Sequence, residues 1–355
     1  MQIDFTKKLL AWNRKLNKRS MPWKGETNPY RIWLSEIILQ QTRVEQGTVY
    51  YNKFIAAFPT ILKLAKAPEK EIFKYWEGLG YYNRCRNLIA TAKIISVDYK
   101  GHFPSTYDEI LALPGIGPYT AAAIVSFAFG LPYPVVDGNV ERILARYFGI
   151  NAEAGSAAVK KLYISIAESL LDKKNPGIYN QAIMDFGATI CKPQNPMCNE
   201  CVLSKNCQAF QQGWINQLPL KSSPAIRKKR VLYYFIVSAG TDKIWIRKRS
   251  EKDIWQNLYE FVLWETGKII PQAQIIQSAF FKKHFGNQGF QIQHISPSFN
   301  QTLTHQSITG LFVHISKKLP KLEGYQSVHR HSLNEYPFPK IIADYIKILP
   351  ATESW

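Results

Sequence analysis

The chain is poor in acid: it sets 26 Asp and Glu against 45 Lys and Arg over 355 residues, for a formal net charge of +19. Such an excess repels itself unless a polyanion offsets it, which points to nucleic acid or an anionic membrane surface. Long hydrophobic runs are also lacking. The most apolar stretch, 121–136, is interrupted by Pro132 and Pro134, and the opening MQIDFTKKLLAWNRK has no charged-then-apolar signal pattern. These absences predict a soluble intracellular protein with no membrane span. There is no low-complexity tract and no repeat at a fixed period, and a composition 46% hydrophobic and 20% charged sets extensive disorder aside. Cysteine is scarce, but four of the five cysteines fall between Cys191 and Cys207. In a reducing compartment that clustering suggests a metal centre rather than disulfides.

The length suits two domains, each with its own core. From Asp4 to about Phe210 the apolar spacing is mainly helical, as in FTKKLLAWNRKL, YRIWLSEIILQQT and DEILALPGIG. The stretch GWINQLPLKSSPAIRKKR mixes Pro, Ser and a basic run without apolar periodicity, and reads as a linker. Beyond it come β-rich runs, VLYYFIVSA, KIWIRKRS, YEFVLW and ITGLFVHIS, with helices expected near Gln274–Lys283 and Lys340–Ile348. The expected architecture is a mainly α domain over 1–212, a linker over 213–230 and a smaller α/β domain over 231–355. Net charge is +8 from Lys228 onward and +11 before it, so both halves are suited to one polyanion.

Three places carry chemistry. Cys191, Cys198, Cys201 and Cys207 are separated by six, two and five residues, enough thiolates on one loop to enclose one metal centre. Spacing alone does not choose between tetrahedral zinc and a 4Fe-4S cluster. Cys85 stands apart and reads as a small buried hydrophobe. In Leu113-Pro-Gly-Ile-Gly-Pro-Tyr-Thr-Ala, a helix end meets a two-glycine hairpin, and Pro118 opens a new helix. Gly115 and Gly117 would let backbone approach a ligand, and the helix N-terminus would offer N–H groups to a phosphate, although such a turn is usually a plain helical hairpin. Twenty residues past Gly117, Asp137 in Val-Val-Asp-Gly-Asn stands at a helix start, where an acid is ordinarily an N-cap but also suits a cation. Glu36 interrupts the nearly continuous apolar stretch Trp33–Leu39, a position more often turned to solvent.

Taken together, Leu113–Ala121, Asp137 and the four-cysteine loop resemble the helix–hairpin–helix DNA glycosylases with an iron–sulfur loop. Pro22-Trp23, Trp33-Leu-Ser-Glu36, Leu39-Gln-Gln-Thr42, Gly78-Leu-Gly-Tyr-Tyr82, Val136–Val140 and Tyr179–Ala188 are similar to the adenine DNA glycosylase (MutY) branch, over about Trp12–Cys207. The resemblance implies a 4Fe-4S cluster on the four cysteines and catalytic roles for Glu36 and Asp137. Strand-nicking relatives carry a Lys where this chain has Tyr119, and a phenol forms no Schiff base, so a monofunctional enzyme with water as the final nucleophile is implied.

Glu36 would protonate adenine N7, and Asp137 would stay ionised and stabilise or trap the oxocarbenium-like sugar, with Asn139 and Tyr119 orienting them. By the same resemblance Trp23 and Gln181 contact the flipped adenine and Gln41 and Tyr81 are wedges, while Gly115 and Gly117 meet the DNA backbone.

The segment after Arg230 is similar to the branch's Nudix-like C-terminal domain, marked by Trp255-Gln-Asn-Leu-Tyr-Glu-Phe. No Glu-rich magnesium helix lies between Glu265 and His284, so phosphohydrolase activity is not expected. The resemblance aligns Leu303, Thr304 and His305 with a Phe-Ser-His loop that contacts 8-oxoguanine; Leu303 loses the aromatic ring, while Thr304 keeps a hydroxyl and His305 an imidazole. The implied partner is duplex DNA containing adenine opposite 8-oxoguanine, met by a monomeric, cytoplasmic, nucleoid-associated protein. Two rivals remain: a glycosylase–lyase acting on oxidised pyrimidines, opposed by Tyr119, and a DNA-binding protein with a structural cluster, in which Glu36 and Asp137 would be inert.

Overall fold

The computed structural model describes residues 2–153, 155–220, 226–286, 290–316 and 318–349. Its chain divides into two compact units, Met1–Lys66 with Asn87–Ser223 and Ala67–Arg86 with Pro224–Trp355. In chain order the first twelve helices are α1 (Gln2–Lys15), α2 (Pro29–Leu39), α3 (Val44–Ala57), α4 (Ile61–Lys66), α5 (Glu69–Trp76), α6 (Tyr82–Val97), α7 (Tyr107–Leu111), α8 (Pro118–Ala128), α9 (Gly138–Phe148), α10 (Ala157–Leu170), α11 (Pro176–Thr189) and α12 (Gln208–Gln211).

The first unit is helical, as its apolar spacing predicts. One of its cores joins Phe5, Leu9 and Trp12 of α1 to Ile143, Leu144 and Tyr147 of α9, Tyr163 of α10 and Tyr179, Ile183 and Phe186 of α11. Local signals start the helices that position the site. Asn28 caps α2, its side chain accepting from the N–H groups of Tyr30 and Arg31, with Pro29 in the first turn. Small residues at Ala121–Ala123 let α8 pack against α2. Where α11 meets α9, a Cβ on Gly187 would stand 2.7 Å from the Asn139 Cβ, so only glycine lets these helices approach as they do.

The second unit is mixed α/β. Its strands are β1 (Lys228–Ile236), β2 (Lys243–Lys248), β3 (Tyr259–Glu260), β4 (Val262–Thr266), β5 (Ile292–Ile295), β6 (Phe299–Thr302), β7 (Gln306–Ile315) and β8 (Gln326–His329), joined by α13 (Gln272–Gln277), α14 (Ala279–Phe285) and α15 (Lys340–Ile346). One sheet has the order β4-β1-β7-β5 with β6 also on β7, and a second has β3-β2-β8. The β1–β7 pair is parallel, with Tyr233 opposite Leu311 and Phe235 opposite Val313. A central parallel pair is covered on both faces, which is why VLYYFI is buried throughout rather than alternating. Of the segment read as linker, residues 221–225 lie outside the described residues, and strand begins within it at Lys228.

Residues 67–86 are covalently part of the helical half but belong to the second unit. The Phe338 N–H donates to Glu77 Oε1 at 2.9 Å, Arg86 Nη1 donates to the Gln256 carbonyl at 3.1 Å, and Lys70 Nζ lies 3.5 Å from the centre of the Tyr336 ring.

Candidate active site

A cavity of about 750 Å³ opens in the first unit between α2, α8, α11 and the 19–27 loop. Among its lining residues are Trp23, Glu36, Gln41, Tyr119, Asp137, Asn139 and Gln181, all singled out by the sequence. Gly115 and Gly117 are not among them.

Glu36 is 7% exposed on a helix buried from Ile32 to Ile38, so it faces the protein interior and not bulk solvent. Burial pushes its carboxyl up to about 7; the Tyr119 hydroxyl, donating to Oε2 at 2.6 Å, pulls it down, and the charge of Asp137 pushes it up again. Tyr119 is itself held well above its ordinary value, by burial first and then by Glu36 and Asp137.

Asp137 does cap α9. Its Oδ1 accepts from the N–H groups of Asn139 at 2.9 Å and Val140 at 2.8 Å. The Asn139 side-chain amide donates to the other oxygen, Oδ2, at 2.7 Å. Cap and cavity are therefore compatible, since Asp137 also lines the open space. Asn139 is held in turn by Arg142, whose Nη2 donates to its Oδ1 at 2.9 Å and to the Gly187 carbonyl at 2.8 Å, while Nε donates to the Cys191 carbonyl at 2.8 Å. One guanidinium thus joins the carboxylate cap to the cysteine loop.

Sequence reasoning has no signal for a second polar cluster on the cavity wall. Asp185 is fully buried and accepts from Arg19 Nη1 at 2.9 Å, Lys24 Nζ at 2.9 Å and Asn17 Nδ2 at 2.8 Å. It also accepts from Gln181 Nε2 at 3.0 Å. Because a carboxylate only accepts, this contact fixes the amide and directs the Gln181 oxygen elsewhere. Trp23, nearly buried, packs edge-on against Tyr51.

In the hairpin before α8, Gly115 has φ +75°, and a Cβ there would meet the Asn87 side chain at 2.6 Å. Gly117 is the α8 N-cap residue and has open space where a Cβ would stand. The first turn of α8 therefore presents its backbone N–H groups past a residue with no side chain, a geometry that accepts an anion.

Comparison with known proteins bears on the family. The family described as "HhH-GPD superfamily base excision DNA repair protein" matches residues 34–167, and "NUDIX domain" matches residues 233–347. The adenine DNA glycosylase of Buchnera aphidicola subsp. Schizaphis graminum (strain Sg) is 38% identical over 292 residues, covering 81% of this chain and 82% of that protein. The chain belongs to the adenine DNA glycosylase family. The enzyme of the same name from Buchnera aphidicola subsp. Baizongia pistaciae (strain Bp) is 38% identical over 259 residues, 73% of each chain. A solved thermostable thymine-DNA glycosylase is similar over 59% of this chain and 97% of its own, with 31% identity and a TM-score of 0.54.

In this adenine DNA glycosylase family member, Cys191, Cys198, Cys201 and Cys207 line one small pocket with Ile190, Pro196, Met197, Phe210 and Ile215. None is in a disulfide. Burial raises the Cys198 and Cys207 thiols and takes Cys201 up to about 12. Arg146, buried, places Nη1 3.5 Å from Cys191 Sγ and spends its other donors on the carbonyls of Lys192, Pro193 and Leu218. Four convergent thiols with a fixed cation beside them fit a thiolate-bound metal group, whose positive charge offsets the cost of ionising buried sulfur.

The remaining residues named from sequence lie in the second unit or on exposed turns. Gln41 and Tyr81 are exposed and adopt φ of 58° and 48°, a region that side chains other than glycine seldom occupy. The Tyr81 and Thr304 hydroxyls are hydrogen-bonded at 2.8 Å, and His305 is exposed beside them in sequence. No helix among the described residues is long and apolar enough to cross a membrane.

Proposed function

We propose that this chain is a monofunctional glycosylase of base excision repair that removes adenine mispaired with 8-oxoguanine or guanine from duplex DNA. The observation that carries the reading is Glu36, a buried carboxyl poised near 7 that shares one cavity with Asp137. Two carboxyl groups in one site, one of them buried and raised toward neutrality, can divide acid and charge-stabilising roles.

Adenine leaves poorly until N7 is protonated, and Glu36 is placed to give that proton, held by Tyr119 at a single oxygen. Asp137, accepting from two backbone N–H groups, faces the developing sugar cation, and Asn139 fixes its second oxygen. Gln181, with its amide committed to Asp185, offers its carbonyl oxygen to the exocyclic amine of a flipped adenine against Trp23. No amine stands at Tyr119 to attack the sugar, so water completes the reaction. Gly115 and Gly117 give the backbone its approach to a phosphate.

Gln41 and Tyr81, exposed on constrained turns, suit wedges that fill the stack, and Thr304 and His305 supply polar contacts for 8-oxoguanine. Cys191, Cys198, Cys201 and Cys207 would hold a 4Fe-4S cluster. When bound, such a cluster cross-links the loop and supplies a site for electron transfer. A monomer working at the DNA of a bacterial cytoplasm completes the proposal.

Single-turnover excision on duplexes with adenine opposite 8-oxoguanine, followed by alkali, tests the reaction. Strand breaks that appear only after alkali are expected; breaks without it would favour a lyase, and none at all a binding protein. Anaerobically prepared protein should be brown with about four irons per chain. Stoichiometric zinc without iron would overturn the cluster assignment.

A further inference from the structure

In the second unit, Asp242 ends the turn between β1 and β2, and His329 and His331 flank Arg330 at the end of β8. The backbone fixes these segments to each other. β2 and β8 pair antiparallel with Lys243 opposite His329, and the Arg330 N–H donates to the Asp242 carbonyl at 3.1 Å.

On this frame three donor atoms converge. Asp242 Oδ2 lies 3.4 Å from His329 Nδ1 and 3.7 Å from His331 Nδ1, and the three residues bring one ligand atom each to within 4.8 Å of the other two. The two imidazole rings are 5.2 Å apart and inclined by only 31°. These separations are long for N–H···O hydrogen bonds, whose heavy atoms stand at about 2.7–3.2 Å. They are close to the spacing of neighbouring ligands around a tetrahedral ion with bonds of about 2.0–2.1 Å, which is about 3.3 Å. His329 Nδ1 and Asp242 Oδ2 are within reach of a long hydrogen bond, and it is the approach of His331 Nδ1 to the same oxygen that makes the three a ligand set.

We propose that Asp242, His329 and His331 form a divalent transition-metal site, distinct from the thiolate loop. Two imidazoles and one carboxylate suit a borderline ion such as Zn²⁺ over hard Mg²⁺ or Ca²⁺. All three side chains are at least half exposed, so water reaches the remaining coordination position and the ion exchanges with solvent. Bound there, it clips the β1–β2 turn to the end of β8 and stabilises the second unit by linkage.

The test uses full-length, iron-loaded protein, titrated with zinc sulfate against a chromophoric zinc chelator. One zinc equivalent should bind with no change in iron content, and zinc should raise the unfolding temperature. His329→Ala and His331→Ala should each weaken binding about tenfold or more, since loss of even an outer-shell partner costs ~10–100-fold. The double variant should bind none. Zinc binding of equal strength in wild type and double variant, no zinc equivalent at all, or displacement by equimolar Mg²⁺ would each overturn the site.

Discussion

The Tyr119 hydroxyl donates to Glu36 Oε2 at 2.6 Å, across 83 residues of sequence, and so acts on the proton that Glu36 is proposed to deliver. Burial raises the carboxyl to about 7 and Tyr119 restrains that rise. The acid form, present below about pH 7, should carry excision, and the single-turnover rate should fall about tenfold per pH unit above it. Because folding raises this pKa from an ordinary 4.5, the stability contributed by the neutral carboxyl is whole below about 4.5 and is lost as pH rises through about 7. Tyr119→Phe removes the one influence that lowers the value, so the alkaline limb of its pH–rate profile should move upward. A limb that stays or moves down would detach Tyr119 from the proton.

Gly187 is where the packing of the first unit meets the chemistry. A methyl group there would overlap the Asn139 Cβ at 2.7 Å and press on Asn139, which holds Asp137 Oδ2. Gly187→Ala should reduce single-turnover excision by about 10²-fold, the scale for a misplacement near 1 Å. Affinity for an uncleavable duplex should change little, which a filter-binding titration checks.

Asp185 should matter to adenine selection although it does not line the cavity. Asp185→Asn leaves Arg19 and Lys24 without their carboxylate and lets the Gln181 amide turn over. Excision of adenine should fall, while a purine lacking the exocyclic amine should lose less, as comparison of the two substrates would reveal. Unpairing a buried carboxylate's cations costs about 3 kcal/mol or more, so the variant should also unfold at lower temperature. Equal losses on both purines would reduce Asp185 to a stabilising role.

Much of this site is legible in the sequence because its signals are local. Glu36 interrupts an apolar helix, Asp137 stands at a helix start, and the cysteines crowd one loop. Burial of Glu36 is not legible, since a helix covered on every side has no periodicity to say which face is inside. The Asp185 cluster is hidden for another reason: apart from Gln181, its partners Asn17, Arg19 and Lys24 lie 161 to 168 residues away, and no spacing rule reaches so far. The same holds for 67–86, whose helical pattern is plain but whose place in the second unit depends on Gln256, Tyr336 and Phe338. β5, β6 and β8 are short and partly polar, below what strand periodicity can detect.

Asp137 allows capping to be separated from charge. Asn caps helices about as well as Asp, so Asp137→Asn should keep an oxygen for the N–H groups of Asn139 and Val140 and leave α9 intact. It loses the negative charge, and its new amide faces the Asn139 amide that now donates to Oδ2 at 2.7 Å, so that contact is lost as well. If the charge stabilises the sugar cation, excision should fall by about 10²–10³-fold, the cost of deleting one preorganised electrostatic partner of a transition state. Binding to duplex should hold or tighten, because a carboxylate beside phosphates is repelled in the ground state. Far-UV circular dichroism and the unfolding temperature would report the cap, and single-turnover kinetics the charge. A variant that folds like wild type and excises at nearly its rate would leave Asp137 as a helix cap and return the catalytic assignment to Glu36 alone.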